Sequence, residues 1–194
     1  MRSPGATGQN RTVSSTFPLA EKREPGYRRE QVDEFLARAR SSYERVDPAT
    51  AVTAGEIRRT AFAVSRKGYS ARHVDAAMDR LEEVFFERER RARIAQLGED
   101  AWWAETRKLL SEVRGRLERP KGKRFRRRSI FASGYRRAQV DAFLDLVALM
   151  LRGEGSITTA DVRGVVFHSQ WRGYNEDQVD AMLDSVIVLM LSTR

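Results

Sequence analysis

The chain contains no cysteine and only two histidines, His73 and His168, which are far apart in sequence. That excludes a disulfide framework, thiolate metal ligation and a cysteine nucleophile. No acid-rich ligand cluster accompanies the histidines, which read as surface or capping residues. No metal, no cofactor and no catalytic residue is expected, and no Gly-rich phosphate loop or nucleophile with its base is present. Long hydrophobic runs are also missing. The best, 143–151 and 182–191, are interrupted by Asp145, Asp184 and Ser185 and fall short of the roughly 20 apolar residues that span a bilayer. The first 16 residues, MRSPGATGQNRTVSST, lack the apolar stretch of a signal peptide and predict a disordered tail on a cytoplasmic protein.

Acids are absent from one segment, 119–137 (RPKGKRFRRRSIFASGYRR). Nine of the 36 Lys and Arg residues lie there, so the net charge of +9 is local and the rest of the chain balances at 27 of each sign. A length of 194 residues allows one or two small domains.

What is present is a repeat. Gly-Tyr, four residues, Val-Asp, two residues, then Leu or Met occurs four times: GYRREQVDEFL at 26–36, GYSARHVDAAM at 68–78, GYRRAQVDAFL at 134–144 and GYNEDQVDAML at 173–183. Copies two and four share a leader, VTAGEIRRTAF at 52–62 and ITTADVRGVVF at 157–167, with a Phe six residues before the Gly. Copies one and three instead carry Phe17 and Phe125 nine residues before it. The chain therefore divides into a disordered tail at 1–16, a first repeat pair at 17–86, a charged helical linker at 87–118, a basic hinge at 119–128 and a second repeat pair at 125–191.

The residue after each Tyr is placed to start a helix. Asn175 with Gln178 has the spacing of a capping box, Ser70 is a favoured N-cap, and Gln31 and Gln139 keep the N3 half of such a box. Beyond the caps, Val140, Phe143, Leu144, Val147 and Leu151 recur at helical spacing, as do Val179, Met182, Leu183, Val186, Met190 and Leu191. In the leaders, Thr53 and Thr158 precede Glu56 and Asp161 by three residues, a second capping pattern. The structural motif is thus Gly26, Tyr27, Val32 and Asp33; Gly68, Tyr69, Val74 and Asp75; Gly134, Tyr135, Val140 and Asp141; and Gly173, Tyr174, Val179 and Asp180. Gly supplies a close backbone approach, Tyr anchors the loop on the helix, Val faces the core, and Asp favours the helix dipole near its N-terminus. Trp102, Leu109, Leu110, Val113 and Leu117 form a further amphipathic helix stopped by Pro120, too irregular for sustained heptads. Of Trp102 and Trp103, one ring is expected packed and the other on a rim. The fold class is all-α, with duplicated helix-turn-helix modules joined by a charged helical linker.

These residues resemble the DivIVA domain of bacterial cell-division and polar-growth scaffold proteins, best in ITTADVRGVVFHSQWRGYNEDQVDAMLDSV at 157–186 and VTAGEIRRTAFAVSRKGYSARHVDAAMDRLEEV at 52–84. The resemblance implies a non-enzymatic, self-associating protein on the inner membrane face at septum or pole, recruiting cell-division or cell-envelope proteins. It also implies that an aromatic residue followed by Arg just before the Gly-Tyr inserts into lipid. Trp171 and Arg172 match that pair, and Arg66 and Lys67 match it in charge; Glu24-Pro25 and Ala132-Ser133 do not match. Because the family module is a parallel dimer, copy one is expected to pack on copy two and copy three on copy four within one chain.

Three readings of the basic segment are open. Arg124, Arg126, Arg127 and Arg128 are candidates for contact with anionic membrane; the same cations would serve nonspecific nucleic-acid binding, the less favoured partner; or the segment is a solvated linker. Trp171 beside a Gly turn is ordinarily a packed core residue, which competes with its membrane reading. The alternative to a membrane-associated scaffold is a soluble helical module that holds a partner helix in an apolar groove.

Overall fold

The computed structural model describes residues 17–21, 24–44 and 51–193; the expected tail at 1–16 lies outside the described residues. Among the described residues the chain is mostly helical, with little strand. It forms two compact units, up to Phe85 and from Phe86 onward, and the division falls within one helix.

The first unit holds β1 (Gly26–Tyr27), α1 (Arg29–Glu44), α2 (Ala54–Arg59), β2 (Val64–Ser65), β3 (Tyr69–Ser70) and the start of α3 (Ala71–Leu97). Helix α1 buries Val32, Phe35, Ala39 and Ser42 at the spacing of a single helical face. Thr53 starts α2 by accepting the Glu56 N–H at 3.1 Å. Arg58 on α2 reaches Glu82 on α3 at 2.7 Å with both side chains buried. Val32, Tyr69 and Val74 form a core cluster, covered by Phe17, Tyr27, Leu36, Phe62 and Met78.

The second unit contains α4 (Glu99–Leu117), β4 (Ser133–Tyr135), α5 (Arg137–Leu151), α6 (Thr159–Gly164), β5 (Ser169–Trp171) and α7 (Glu176–Ser192). Val140, Leu144 and Val147 of α5 and Val179, Val186 and Ile187 of α7 are buried. A full capping box joins Thr158 and Asp161 at the start of α6. At Asn175 only half the box forms: the side chain accepts the Gln178 N–H at 3.0 Å, while the Gln178 amide turns elsewhere.

Most of the stretch expected as a charged helical linker, 87–118, is helix α4, which lies within the second unit. Helix α4 packs on both α5 and α7, with Val113 and Leu117 buried. The Trp102 ring meets Phe86 edge-on at 6.0 Å, and Trp103 donates to Glu99. The basic segment also belongs to this unit, because Phe125 is buried against the Tyr174 ring at 5.2 Å. The amphipathic stripe expected at Val113 and Leu117 thus has a core to cover, and the basic segment, for which a solvated linker was one reading, is anchored through Phe125.

Sequence periodicity gave no sign of the strands, which arise where the Gly-Tyr segments meet. Strand β1 lies antiparallel between β2 and β3, with Gly26 opposite Ser70 and Tyr27 opposite Tyr69. In the second unit β4 pairs with β5, and Tyr135 and Tyr174 exchange both backbone hydrogen bonds at 3.0 and 2.9 Å. Around each meeting the same bonds recur. Phe17 packs on Tyr69, Phe62 on Tyr27, Phe125 on Tyr174 and Phe167 on Tyr135, all at 5.2 to 5.6 Å between ring centres. The N–H of the residue after each Tyr donates to the carbonyl of the residue after that Phe: Arg28 to Ala63, Ser70 to Pro18, Arg136 to His168 and Asn175 to Arg126.

Gln31, Gln139 and Gln178 accept the N–H of those same residues, Ala63, His168 and Arg126. Copy two has His73 in place of the Gln, bonded to Ser70, and the residue after the Phe packed on its Tyr is Pro18, which has no N–H to give. Each Tyr hydroxyl bonds the motif Asp of the opposite segment: Tyr69 to Asp33 at 3.0 Å, Tyr27 to Asp75, Tyr135 to Asp180 at 3.5 Å and Tyr174 to Asp141 at 3.0 Å. The aspartates thus do more than favour a helix dipole; they are acceptors for tyrosines that come from another copy.

Candidate membrane-facing site

The exchange of Gly-Tyr segments leaves short loops projecting between each leader Phe and its Gly. In the second unit, two of them lie side by side. The loop at 170–172 folds tightly, with Gly173 N–H on the Gln170 carbonyl, and Arg172 takes a positive φ of 53° just before the glycine. The loop at 129–132 closes with the Ala132 N–H on the Ser129 carbonyl at 3.2 Å. The Arg172 N–H then donates to the Ala132 carbonyl at 3.1 Å, and Ser133 stands opposite Trp171 in the sheet.

The apolar side chains of both loops face outward. Trp171 is 61% exposed, Phe131 84% and Ile130 53%. The expectation that Trp171 packs in a core is therefore wrong, because the sheet pairing that fixes its backbone leaves its ring no covering partner. Arg126, Arg127 and Arg172 are exposed beside these rings and Arg128 is half-buried. Neither 119–140 nor 162–175 contains an acid, so the loops carry cations with no carboxylate of their own.

Phe125 and Phe131 interleave with the cations in the sequence, but Phe131 and Ile130 are not among the membrane candidates because the resemblance places the inserting residue immediately before Arg and Gly. In copy three the aromatic stands three residues before its glycine, in the longer loop that follows Phe125. Neither count aligns the two rings, since Trp171 lies four residues after Phe167 and Phe131 six after Phe125.

Arg124 must be withdrawn from the membrane candidates. It is 5% exposed; its guanidinium donates to Asp145 at 2.7 Å and to the Asp141 carbonyl at 2.8 Å, and lies 3.8 Å from the Asp141 carboxylate. Asp141 accepts in addition from the Gly122 N–H at 2.7 Å and from Tyr174. The basic run therefore divides in two: Arg124 closes the core, and the three arginines after Phe125 lie in the surface loop.

The corresponding loop of the first unit shares the positive φ before its glycine but carries different side chains. Arg66 and Lys67 are exposed, and Lys67 takes a positive φ of 59° immediately before Gly68. The neighbouring loop of copy one, bonded through the Ala20 N–H to the Gly68 carbonyl, carries Glu21 and Glu24 and no aromatic residue. Charge matches the expectation for Arg66 and Lys67, but no insertable ring accompanies it.

Burial pushes the Tyr174 hydroxyl up to about 12, with the Asp141 charge adding to the rise against the Arg124 amide and guanidinium. Burial raises Tyr27 and Tyr135 as well, helped by Asp75 and Asp180. An unfolded chain releases these phenolic protons first, so the contribution to stability is complete below about pH 10 and lost as pH rises towards 12. Denaturant titrations from pH 9 to 11.5 should show Tyr174→Phe losing roughly 2 kcal/mol less stability than the unchanged protein. Parallel losses would show that the Tyr174 hydroxyl is not shielded.

His168 bonds Gln139 and His73 bonds Ser70, each near a helix start. Among the described residues no group of three His, Cys, Asp or Glu is placed to hold a metal ion, and no helix is long and apolar enough to cross a membrane. No family model, curated protein or solved structure matches the chain.

Proposed function

We propose that this protein is a non-enzymatic adaptor or scaffold of the DivIVA kind, which docks peripherally on an anionic membrane surface and presents its helices to other proteins. In this reading the four motifs are duplicated modules forming two pairs, each the intramolecular counterpart of a dimer. The fourfold recurrence of Phe on Tyr, of Tyr hydroxyl on Asp and of carbonyl on helix-start N–H supports it. The resemblance places such a protein on the inner membrane face at septum or pole, with cell-division or envelope machinery as partners.

The observation that carries membrane docking is the pair of outward rings, Trp171 and Phe131, on adjacent acid-free loops among arginines. Aromatic rings settle at the headgroup boundary while cations hold the anionic surface, each worth about 1 kcal/mol. Co-sedimentation should show binding to phosphatidylglycerol vesicles and none to phosphatidylcholine. The Trp171→Ala, Phe131→Ala pair should weaken binding at least tenfold with an unchanged melting curve, since neither ring supports the core. Unaltered binding by the double variant would refute docking through these loops.

One observation favours the soluble-module alternative: an apolar groove lined by Trp103, Leu110, Met150, Leu151, Leu189 and Met190 lies between α4 and the ends of α5 and α7. A protein that ignores both kinds of vesicle would leave that groove as its working surface.

A further inference from the structure

The paired loops also contain a hydroxyl. Ser129 directly follows Arg126, Arg127 and Arg128 and precedes Ile130 and Phe131. It is exposed at the start of the 129–132 turn, and among the described residues its Oγ has no hydrogen-bond partner. The nearest acids in sequence, Glu118 and Asp141, are more than ten residues away on either side. A protein kinase that selects substrates by charge reads arginines N-terminal to the acceptor through its own carboxylates. Reaching Ser129 requires release of the Arg128 N–H from the Gly173 carbonyl and of the Ala132 N–H from Ser129, while Arg126 is held further back by the Asn175 N–H and the Gln178 side chain at the start of α7.

We propose that Ser129 is a phosphorylation site for an arginine-directed serine/threonine kinase, and that the modification releases this face from anionic membrane. The second half rests on the membrane reading above. In the transfer, Ser129 Oγ attacks the γ-phosphorus of Mg-ATP and the Oγ–P bond forms. The bond from that phosphorus to the β,γ-bridging oxygen breaks, ADP departs with the electron pair, and the seryl proton passes to the kinase's carboxylate. The product carries nearly two negative charges among Arg126, Arg127, Arg128 and Arg172, offsetting about half of the local cations. Two cations' worth of surface attraction corresponds to roughly 30-fold in affinity. The arginines present in the loop are donors for the phosphate oxygens, so the modified loop is held closed as well as discharged.

The test uses the full chain, an arginine-directed kinase with Mg-ATP, mass-spectrometric mapping, and vesicles with and without phosphatidylglycerol. One phosphate is expected on Ser129 and none on Ser129→Ala, whose vesicle binding matches the unmodified protein. The phosphorylated form is expected to need roughly 30-fold more phosphatidylglycerol for half-maximal binding. Phosphate on another residue, or undiminished incorporation in Ser129→Ala, overturns the site. Equal vesicle binding by both forms overturns the release. An unmodified protein that binds neither vesicle refutes the membrane reading and the release with it, while the phosphate map still decides the acceptor.

Discussion

Gly173→Ala is expected to unfold the second unit, with a loss of about 4 kcal/mol or more. A Cβ at this position would overlap the Tyr135 carbonyl oxygen and come within 2.6 Å of the Gly134 carbonyl. These atoms are backbone, held by the paired Tyr135 and Tyr174 hydrogen bonds, and cannot turn aside as a side-chain tip would. Relief requires breaking the exchange, which carries the Phe on Tyr contacts and the Asp141 bonds with it. Gly134→Ala should behave alike, because its Cβ would overlap the Tyr174 carbonyl. Gly115→Ala is the control. It lies inside α4 with nothing within 4 Å of a built Cβ, so alanine should stabilise by about 0.5–1 kcal/mol through helix propensity. Urea titrations of the three variants decide the matter, and a Gly173→Ala protein within 1 kcal/mol of the parent would show that the Gly-Tyr pairing is not obligatory.

Asp141→Ala should cost about 3–4 kcal/mol, whereas Asp180→Ala, the same motif position one copy later, should stay within about 0.5 kcal/mol. Asp141 is buried; removing its carboxylate strands the Tyr174 hydroxyl and the Gly122 N–H and leaves Arg124 buried with Asp145 as its remaining carboxylate. Asp180 is exposed and receives the Tyr135 hydroxyl at a long 3.5 Å. Partial desolvation and the neighbouring Glu176, Asp184 and Asp177 push its carboxyl up, outweighing the Tyr135 hydrogen bond, which lowers it. Equal costs at the two positions, measured by denaturant titration, would mean that the Arg124 network adds nothing beyond the Tyr–Asp bond.

Four copies of one motif thus differ in energy because of what lies beside them. The Val of each copy is buried and could be read from helical spacing alone, since a side chain's face on a helix follows from its number. The leader caps at Thr53 and Thr158 were legible for the same reason, being bonds between residues three apart. The glutamines were not. Read locally, Gln31 and Gln139 are the N3 half of a capping box; in the fold they accept the N–H of Ala63 and His168, 32 and 29 residues away. No local spacing encodes a partner at that distance, although His73, in the copy whose Ser70 bonds Pro18, is a trace of it.

The membrane candidates divide along the same line. Composition marked the run of arginines without distinguishing Arg124, which closes the core, from Arg126 and Arg127 at the surface, because charge counts carry no burial. The sequence by itself determined the helices, their buried faces, the fourfold motif and the absence of cysteine chemistry, all of which follow from residue identity and short spacing. Only the tertiary structure decided that each Tyr serves the Asp of another copy, that α4 belongs to the second core, and that Phe131 stands exposed beside Trp171. Those facts depend on which distant segments meet: the motif glycines were legible as close-approach positions, but the carbonyls they approach belong to another copy and follow from no local spacing.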